Sequence, residues 1–198
     1  MKKDILIIGT ERSGKTTLMN AILDRYGFYE PLRGDAALAS LSHVMPKNTR
    51  VENDVCVVSL PIVSHEDSID YLVNFYKEMK LDIARTKRKI IIDTFSLSVE
   101  EAVKYFGKTC DIYCLGMPNE TADDLEIAIR ETETSKDWTF RLGHFTLHSL
   151  CEGIAWKSKE MRDECLKYGV IFFDMSGNRD EKIEEAISEI ERCSICDE

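Results

Sequence analysis

The sequence predicts an α/β fold in three layers, with helices on both faces of a mostly parallel central sheet. Three observations predict it. Short, dense apolar runs stand at Ile5-Leu6-Ile7-Ile8, Ile90-Ile91-Ile92 and Val170-Ile171-Phe172-Phe173, each closed by Gly9, Asp93 or Asp174. Unbroken apolarity followed at once by Gly or Asp fits a central strand of a parallel sheet, buried on both faces. Helical periodicities separate the runs, and strands alternating with helices fold as right-handed βαβ units. Low-complexity tracts, repeats and Gly/Ser linkers are absent, so the 198 residues read as one domain, 1–198, able to bury a substantial core.

In chain order, Ile5–Ile8 is the first strand and Thr16 to Arg25 the helix that follows. Gly27-Phe28-Tyr29 is a weaker strand candidate. The stretch 36–86 is too long for one crossover and contains Val55-Cys56-Val57-Val58, a candidate extra strand, so it reads as an insertion. Within it, Ile69, Leu72, Val73, Tyr76 and Met79 recur at helical spacing across 65–86. Ile90–Ile92 and Ile112-Tyr113-Cys114-Leu115 are further strands. A helix then runs through Leu147, Leu150, Cys151, Ile154 and Met161. After Val170–Phe173, a last helix between Asp180 and Arg192 carries Ile183, Ala186, Ile187 and Ile190 on one face.

Lys plus Arg total 26 against 36 Asp plus Glu, a formal charge of −10, which opposes a broad footprint on nucleic acid or an anionic membrane. An anionic ligand must therefore be captured locally. No apolar run approaches the roughly 18–20 residues of a membrane span. The four apolar residues before Gly9 are too few for a signal-peptide core. Seven cysteines, an odd number scattered along the chain, fit reduced thiols. The expected setting is cytoplasmic, as a monomer or homodimer.

The strongest local signal is Gly9-Thr10-Glu11-Arg12-Ser13-Gly14-Lys15-Thr16, which matches G-x-x-x-x-G-K-[ST] directly after a strand and at the opening of a helix. The glycines let successive amides turn inward, and the helix N-terminus adds partial positive charge, so the loop forms a nest for phosphates. Lys15 is placed to reach the β- and γ-phosphates and Thr16 to give its hydroxyl to Mg²⁺, with Thr17 grouped beside them in the nucleotide site. Asp93, at the end of Ile90–Ile92, is the expected carboxylate on the metal side, or else the cap of the next helix. This motif makes the expected architecture a P-loop NTPase fold that binds ATP and Mg²⁺. The guanine-reading N-K-x-D is absent, and Asp93-Thr94-Phe95-Ser96 lacks the glycine of a D-x-x-G switch. An AAA-type motor would need a helical lid domain that the residues after Asp174 cannot supply.

The arrangement resembles the nucleoside and nucleotide kinase branch of the P-loop fold, which includes adenylate kinase-like and shikimate kinase-like enzymes. The resemblance spans Ile5 to Ile190 in outline. Arg33-Gly34-Asp35 before Ala36, Ala37 and Leu38 looks like the Gly-Asp segment entering the acceptor-binding helix, and Ile90 to Phe95 is similar to the segment ending the third strand. Those kinases continue with Pro-Arg, where Ser96-Leu97 stands here, so the arginine that grips a nucleotide acceptor is missing. The resemblance implies an acceptor-binding insertion over about 36–86 and a mobile lid over about 119–146, with Arg130 and Arg141 as arginines closing on the phosphates beside Lys136. It also implies that the loop holding Ser176, Gly177 and Asn178 lies against the adenine, although the same residues suit an ordinary helix cap.

The implied activity is ATP- and Mg²⁺-dependent phosphoryl transfer to a small-molecule acceptor. Lys15 and a lid arginine stabilise charge, Asp35 orients or deprotonates the acceptor hydroxyl with Asp93 second, and Arg33 binds an anionic group on the acceptor. Arg12, with Glu11 on the outer side of the loop, either touches phosphate or acceptor or forms a structural salt bridge. The alternative is a regulatory P-loop protein that hydrolyses ATP slowly and signals to a protein partner. His144 and His148, four apart, lack the Glu of H-E-x-x-H, and Cys193-x-x-Cys196 lacks a partner pair, so neither reads as a metal site. Cys110 and Cys114 read as core thiols, and Trp138 and Trp156 as lid or packing residues.

Overall fold

The computed structural model describes residues 3–44, 48–52, 55–59, 64–135 and 137–195. In chain order they form β1 (Asp4–Gly9), α1 (Lys15–Arg25), β2 (Tyr29–Arg33), α2 (Gly34–Val44), β3 (Asn48–Glu52), β4 (Val55–Ser59), α3 (His65–Asp82), β5 (Lys89–Thr94), α4 (Val99–Phe106), β6 (Cys110–Gly116), α5 (Ala122–Thr132), α6 (His144–Tyr168), β7 (Ile171–Asp174) and α7 (Arg179–Ile190). Short 3₁₀ turns at Ile83–Arg85 and Trp138–Arg141 and a π turn at Glu191–Ile195 complete the path. Five strands form a parallel sheet in the order β2-β5-β1-β6-β7, and β3 and β4 pair antiparallel apart from it.

The alternation of side chains along β1 separates two cores. Ile5 and Ile7 pack with Leu18, Ile22, Ile187 and Ile190 of α1 and α7, and Leu6 and Ile8 pack with Leu72, Ala102 and Phe106 of α3 and α4. Every residue of β1 is buried, as a strand covered by helices on both faces requires. The long helix α6 serves both sides, with Leu147, Cys151 and Ile154 in one core and Met161 and Cys165 in the other. Cys110 and Cys114 are buried in the second core.

Two expectations about strands need correction. The last apolar run forms an edge strand, β7, whose four residues are only half-buried, because no strand flanks it on its outer side. Gly27 and Phe28 belong to a turn, and the strand begins at Tyr29 and runs through Glu30, Pro31 and Arg33. It is the opposite edge of the sheet, where polar residues and a proline without an amide are tolerated. The stretch 36–86 contains most of α2, the β3–β4 hairpin and α3, with Val55–Val58 inside β4. Helices α4 and α5 each start with a reciprocal capping box, Ser98 with Glu101 and Thr121 with Asp124.

At the far end of β1, Asp4 is buried and fully engaged. Its carboxylate accepts from the Ile90 amide at 3.0 Å and the Tyr76 hydroxyl at 2.7 Å, and Lys80 pairs with it at 2.8 Å. The opposite ends of the strands open onto the loop after β1.

Candidate functional site

The loop between β1 and α1 is built on two glycines. Gly9 has φ 145, and a Cβ placed there would stand 2.0 Å from the Leu115 carbonyl oxygen, so only glycine lets the loop cross over β6. Gly14, with φ 95, caps α1 without a side chain, which leaves the first helical amides facing the loop. The Thr10 amide donates to the Leu115 carbonyl at 3.2 Å, and the Ser13 hydroxyl closes the turn on the Thr10 carbonyl at 2.9 Å. Arg12 between them has φ 61, the one non-glycine residue with positive φ among those described.

Lys15 is 7% exposed, and its ammonium donates to the Thr10 carbonyl at 2.6 Å. Burial pulls its pKa below the usual lysine range, opposed by the carboxylates of Asp35, Glu11 and Asp93. The Thr16 hydroxyl donates to Asp93 at 2.5 Å, and the cap of α4 is Ser98, so Asp93 faces the opening of α1 and does not cap the helix that follows it. Asp35, in the first turn of α2, accepts at the same oxygen from the Thr94 hydroxyl at 3.1 Å and the Phe95 amide at 3.2 Å. Burial raises the Asp35 pKa, with the Phe95 amide as the main opposing influence. Thr17 is exposed in the first turn of α1.

Two clefts flank this loop. One, of about 230 Å³, lies between the loop and α5 and is lined by Arg12, Ser13, Leu125, Ala128, Gly177 and Arg179 among others. Asn178 caps α7 by accepting from the amides of Asp180 and Glu181, and Ser176 accepts from the Asn119 amide at 3.3 Å, so the 176–178 loop is both a cap and, through Gly177, a cleft wall. The other, of about 710 Å³, is open and brings together Glu11, Asp35, Phe95, Ser96, His65 and Lys157 with Leu38, Ala39 and Ser68.

The expected arginines lie elsewhere. Arg33 donates to Asn20 at 3.3 Å, and neither cleft includes it. The stretch 119–146 divides into α5, which buries Leu125 and Ile129, and a connection that holds the 3₁₀ turn. Arg130 is bound within that stretch, to Glu133 at 2.7 Å and the Leu142 carbonyl at 2.7 Å, and Arg141 is exposed. Lys136 and Cys196 lie outside the described residues. Of the two roles open to Arg12, the structure shows the salt bridge, with Asp137 at 3.0 Å. His144 and His148 both contact Glu126, and Trp138 and Trp156 are exposed.

Sequence reasoning assigns no role to five residues. Ser158, fully buried on α6, shares a 3.3 Å hydrogen bond with the Thr10 hydroxyl and accepts from the Met117 amide at 3.0 Å, which fastens α6 to the loop. Lys157 beside it lines the larger cleft and is close enough to Lys15 to help lower its pKa. Arg179 lays its guanidinium against Gly14 and donates to the Arg12 carbonyl at 3.2 Å, and burial next to Arg12 lowers its pKa. Phe95 and His65 complete the larger cleft. Only Phe95 has a signal in the sequence, as the last residue of the Ile90–Phe95 segment; the other four have no motif around them.

No protein-family model and no curated protein sequence matches the chain. Solved structures do. A gluconokinase from Sinorhizobium meliloti aligns with TM-score 0.57 at 16% identity over 98% of this chain and 94% of its own. A sugar kinase from Janibacter aligns with TM-score 0.55 at 19% identity over 95% and 94%, and a shikimate kinase from Bacteroides thetaiotaomicron with 0.58 at 13% over 98% and 98%. With its parallel sheet, phosphate loop and flanking helices, the chain has the fold shared by these P-loop small-molecule kinases.

Proposed function

We propose that this chain is a small-molecule kinase that transfers the γ-phosphoryl group of ATP, with Mg²⁺, to a hydroxyl of an acceptor seated beside Asp35. The observation that carries this reading is the convergence, at one end of the sheet, of the amide-lined loop with Lys15, the Thr16–Asp93 pair, Asp35 and an open cleft. Phosphoryl transfer asks little covalent chemistry of a protein and much alignment and charge stabilisation, and these parts supply both.

The loop amides and the N-terminus of α1 bind the phosphates, and Lys15 exchanges the Thr10 carbonyl for phosphoryl oxygen. Thr16 and Asp93 fit magnesium by chemistry, since both are hard oxygen donors and already meet at 2.5 Å beside the loop. When bound, the ion would neutralise charge on the phosphate oxygens. Asp35 orients the acceptor hydroxyl and takes its proton as the new O–P bond forms and the bond to ADP breaks. Lys157 reaches the transferring group from α6, a helix fixed to the loop through Ser158. The nucleoside fits the narrower cleft beside Gly177 and α5.

The test is ATP consumption with and without a panel of hydroxyl acceptors, in the native chain and in Lys15→Ala and Asp93→Asn. Acceptor-dependent turnover that both substitutions abolish, with unfolding midpoints within a few degrees of the parent, is the expected result. Unchanged turnover in Lys15→Ala would remove the loop from the chemistry.

A further inference from the structure

We infer that the acceptor is a hydroxyl-rich compound without negative charge, carrying a flat apolar face, as a pyranose or a nucleoside does, rather than a sugar acid or a nucleotide. The inference rests on the kinase reading above and concerns what the larger cleft selects.

The argument is one of charge. Glu11 from the loop and Asp35 from α2 both line the cleft. The two hydrogen bonds described for Asp35 fall on Oδ1, which leaves Oδ2 to accept from a ligand hydroxyl. His65 brings no net positive charge, because its Nε2 pairs with Glu101 at 2.8 Å, a carboxylate that also accepts from Ser98. Among the described residues the other cation lining the cleft is Lys157; it and Lys15, whose charge acts on Asp35 and Glu11, stand on the phosphate side, where the transferring group occupies them. Arg33, the cation expected for an anionic acceptor group, is turned to Asn20.

Carboxylates accept well from hydroxyl and ammonium donors, whereas a second negative charge beside them is opposed. At about 7 Å and an effective dielectric of about 20, one such repulsion disfavours binding by more than about tenfold. Phe95, 40% exposed just after β5, brings aromatic surface to the same space, suited to the C–H face of a sugar ring or the π-face of a base. Carboxylates and an aromatic ring together therefore select neutral or cationic polyols and reject acids.

The experiment uses acceptor pairs that keep the same free primary hydroxyl and differ in charge elsewhere: glucose with glucose 1-phosphate, and uridine with uridine 3′-monophosphate, plus glucosamine as a cationic member. Turnover is followed by ADP release at saturating ATP and magnesium, and the phosphorylated product is identified by mass spectrometry. Expected is a kcat/KM at least about tenfold higher for the uncharged or cationic member of a set, with the hexose and nucleoside arms deciding which skeleton fits. Glu11→Gln should shrink that ratio several-fold. An anionic member used as well as or better than its neutral partner overturns the inference and leaves the kinase reading standing. ATP loss at the acceptor-free rate with every member, and no phosphorylated product, overturns the kinase reading and the inference with it.

Discussion

Replacing Ser158 by Ala removes one oxygen from a place without solvent, and its partners set the cost. The Met117 amide, 3.0 Å from that oxygen in a residue 9% exposed, loses its acceptor. An unsatisfied buried donor costs about 1–3 kcal/mol. The Thr10 hydroxyl, fully buried, loses a longer partner at 3.3 Å, for which about 0.5–1 kcal/mol is appropriate. The vacated volume is too small to hold a water that could replace either bond. The sum is a destabilisation of about 2–3 kcal/mol, seen in urea as a lower midpoint at unchanged slope. For a domain of this size the thermal midpoint falls by about 4–12 °C. Because Lys157 is the neighbouring residue, acceptor turnover in the surviving folded protein should fall more than ATP affinity does. A variant less than about 0.5 kcal/mol below the parent, with full turnover, would refute both the anchoring role and the positioning of Lys157 that depends on it.

Three further outcomes follow from the geometry. Asp4→Ala should cost about 3–4 kcal/mol in urea unfolding, since it strands the buried Ile90 amide and Tyr76 hydroxyl, while the KM for ATP stays within about twofold because Asp4 lies at the opposite end of the strands. Gly9→Ala should give little folded protein by circular dichroism, since its Cβ would meet the Leu115 carbonyl at 2.0 Å; a parental melting temperature would contradict this. Asp35 must be ionised to take a proton, and burial raises its pKa. As pH falls, kcat should therefore be lost above the usual carboxylate range, and Asp35→Asn should flatten that limb and lower kcat while sparing ATP binding.

The central strands are legible because burial on both faces leaves Ile5–Ile8 and Ile90–Ile92 without polar residues to blur the pattern. The edges are harder. Tyr29–Arg33 lies at the edge of the sheet, buries only Tyr29 and Leu32 and carries Glu30, Pro31 and Arg33, so its most apolar stretch, around Phe28, precedes the strand. That the Gly9–Thr16 loop, Asp93 and Asp35 come together is legible for a related reason: each is a short contiguous signal joined to a strand end. Lys157 and Ser158 on α6 and Phe95 after β5 lie far apart in sequence and acquire meaning only when α6 and β5 meet the loop. Arg33 and Arg130 show the converse, since the right residue type in the right segment is turned aside by Asn20 and by Glu133 with the Leu142 carbonyl.

The left-handed backbone at Arg12 has a consequence of its own. Holding a non-glycine residue at φ 61 costs about 1–2 kcal/mol. A partly exposed ion pair such as that with Asp137, whose side chains are 19% and 31% accessible, contributes about 0.2–1 kcal/mol in return. Stability alone therefore favours glycine at this point or is indifferent. What the arginine adds is a tie between the loop after β1 and the 3₁₀ turn that begins beside Asp137, so that a shift of one bears on the other.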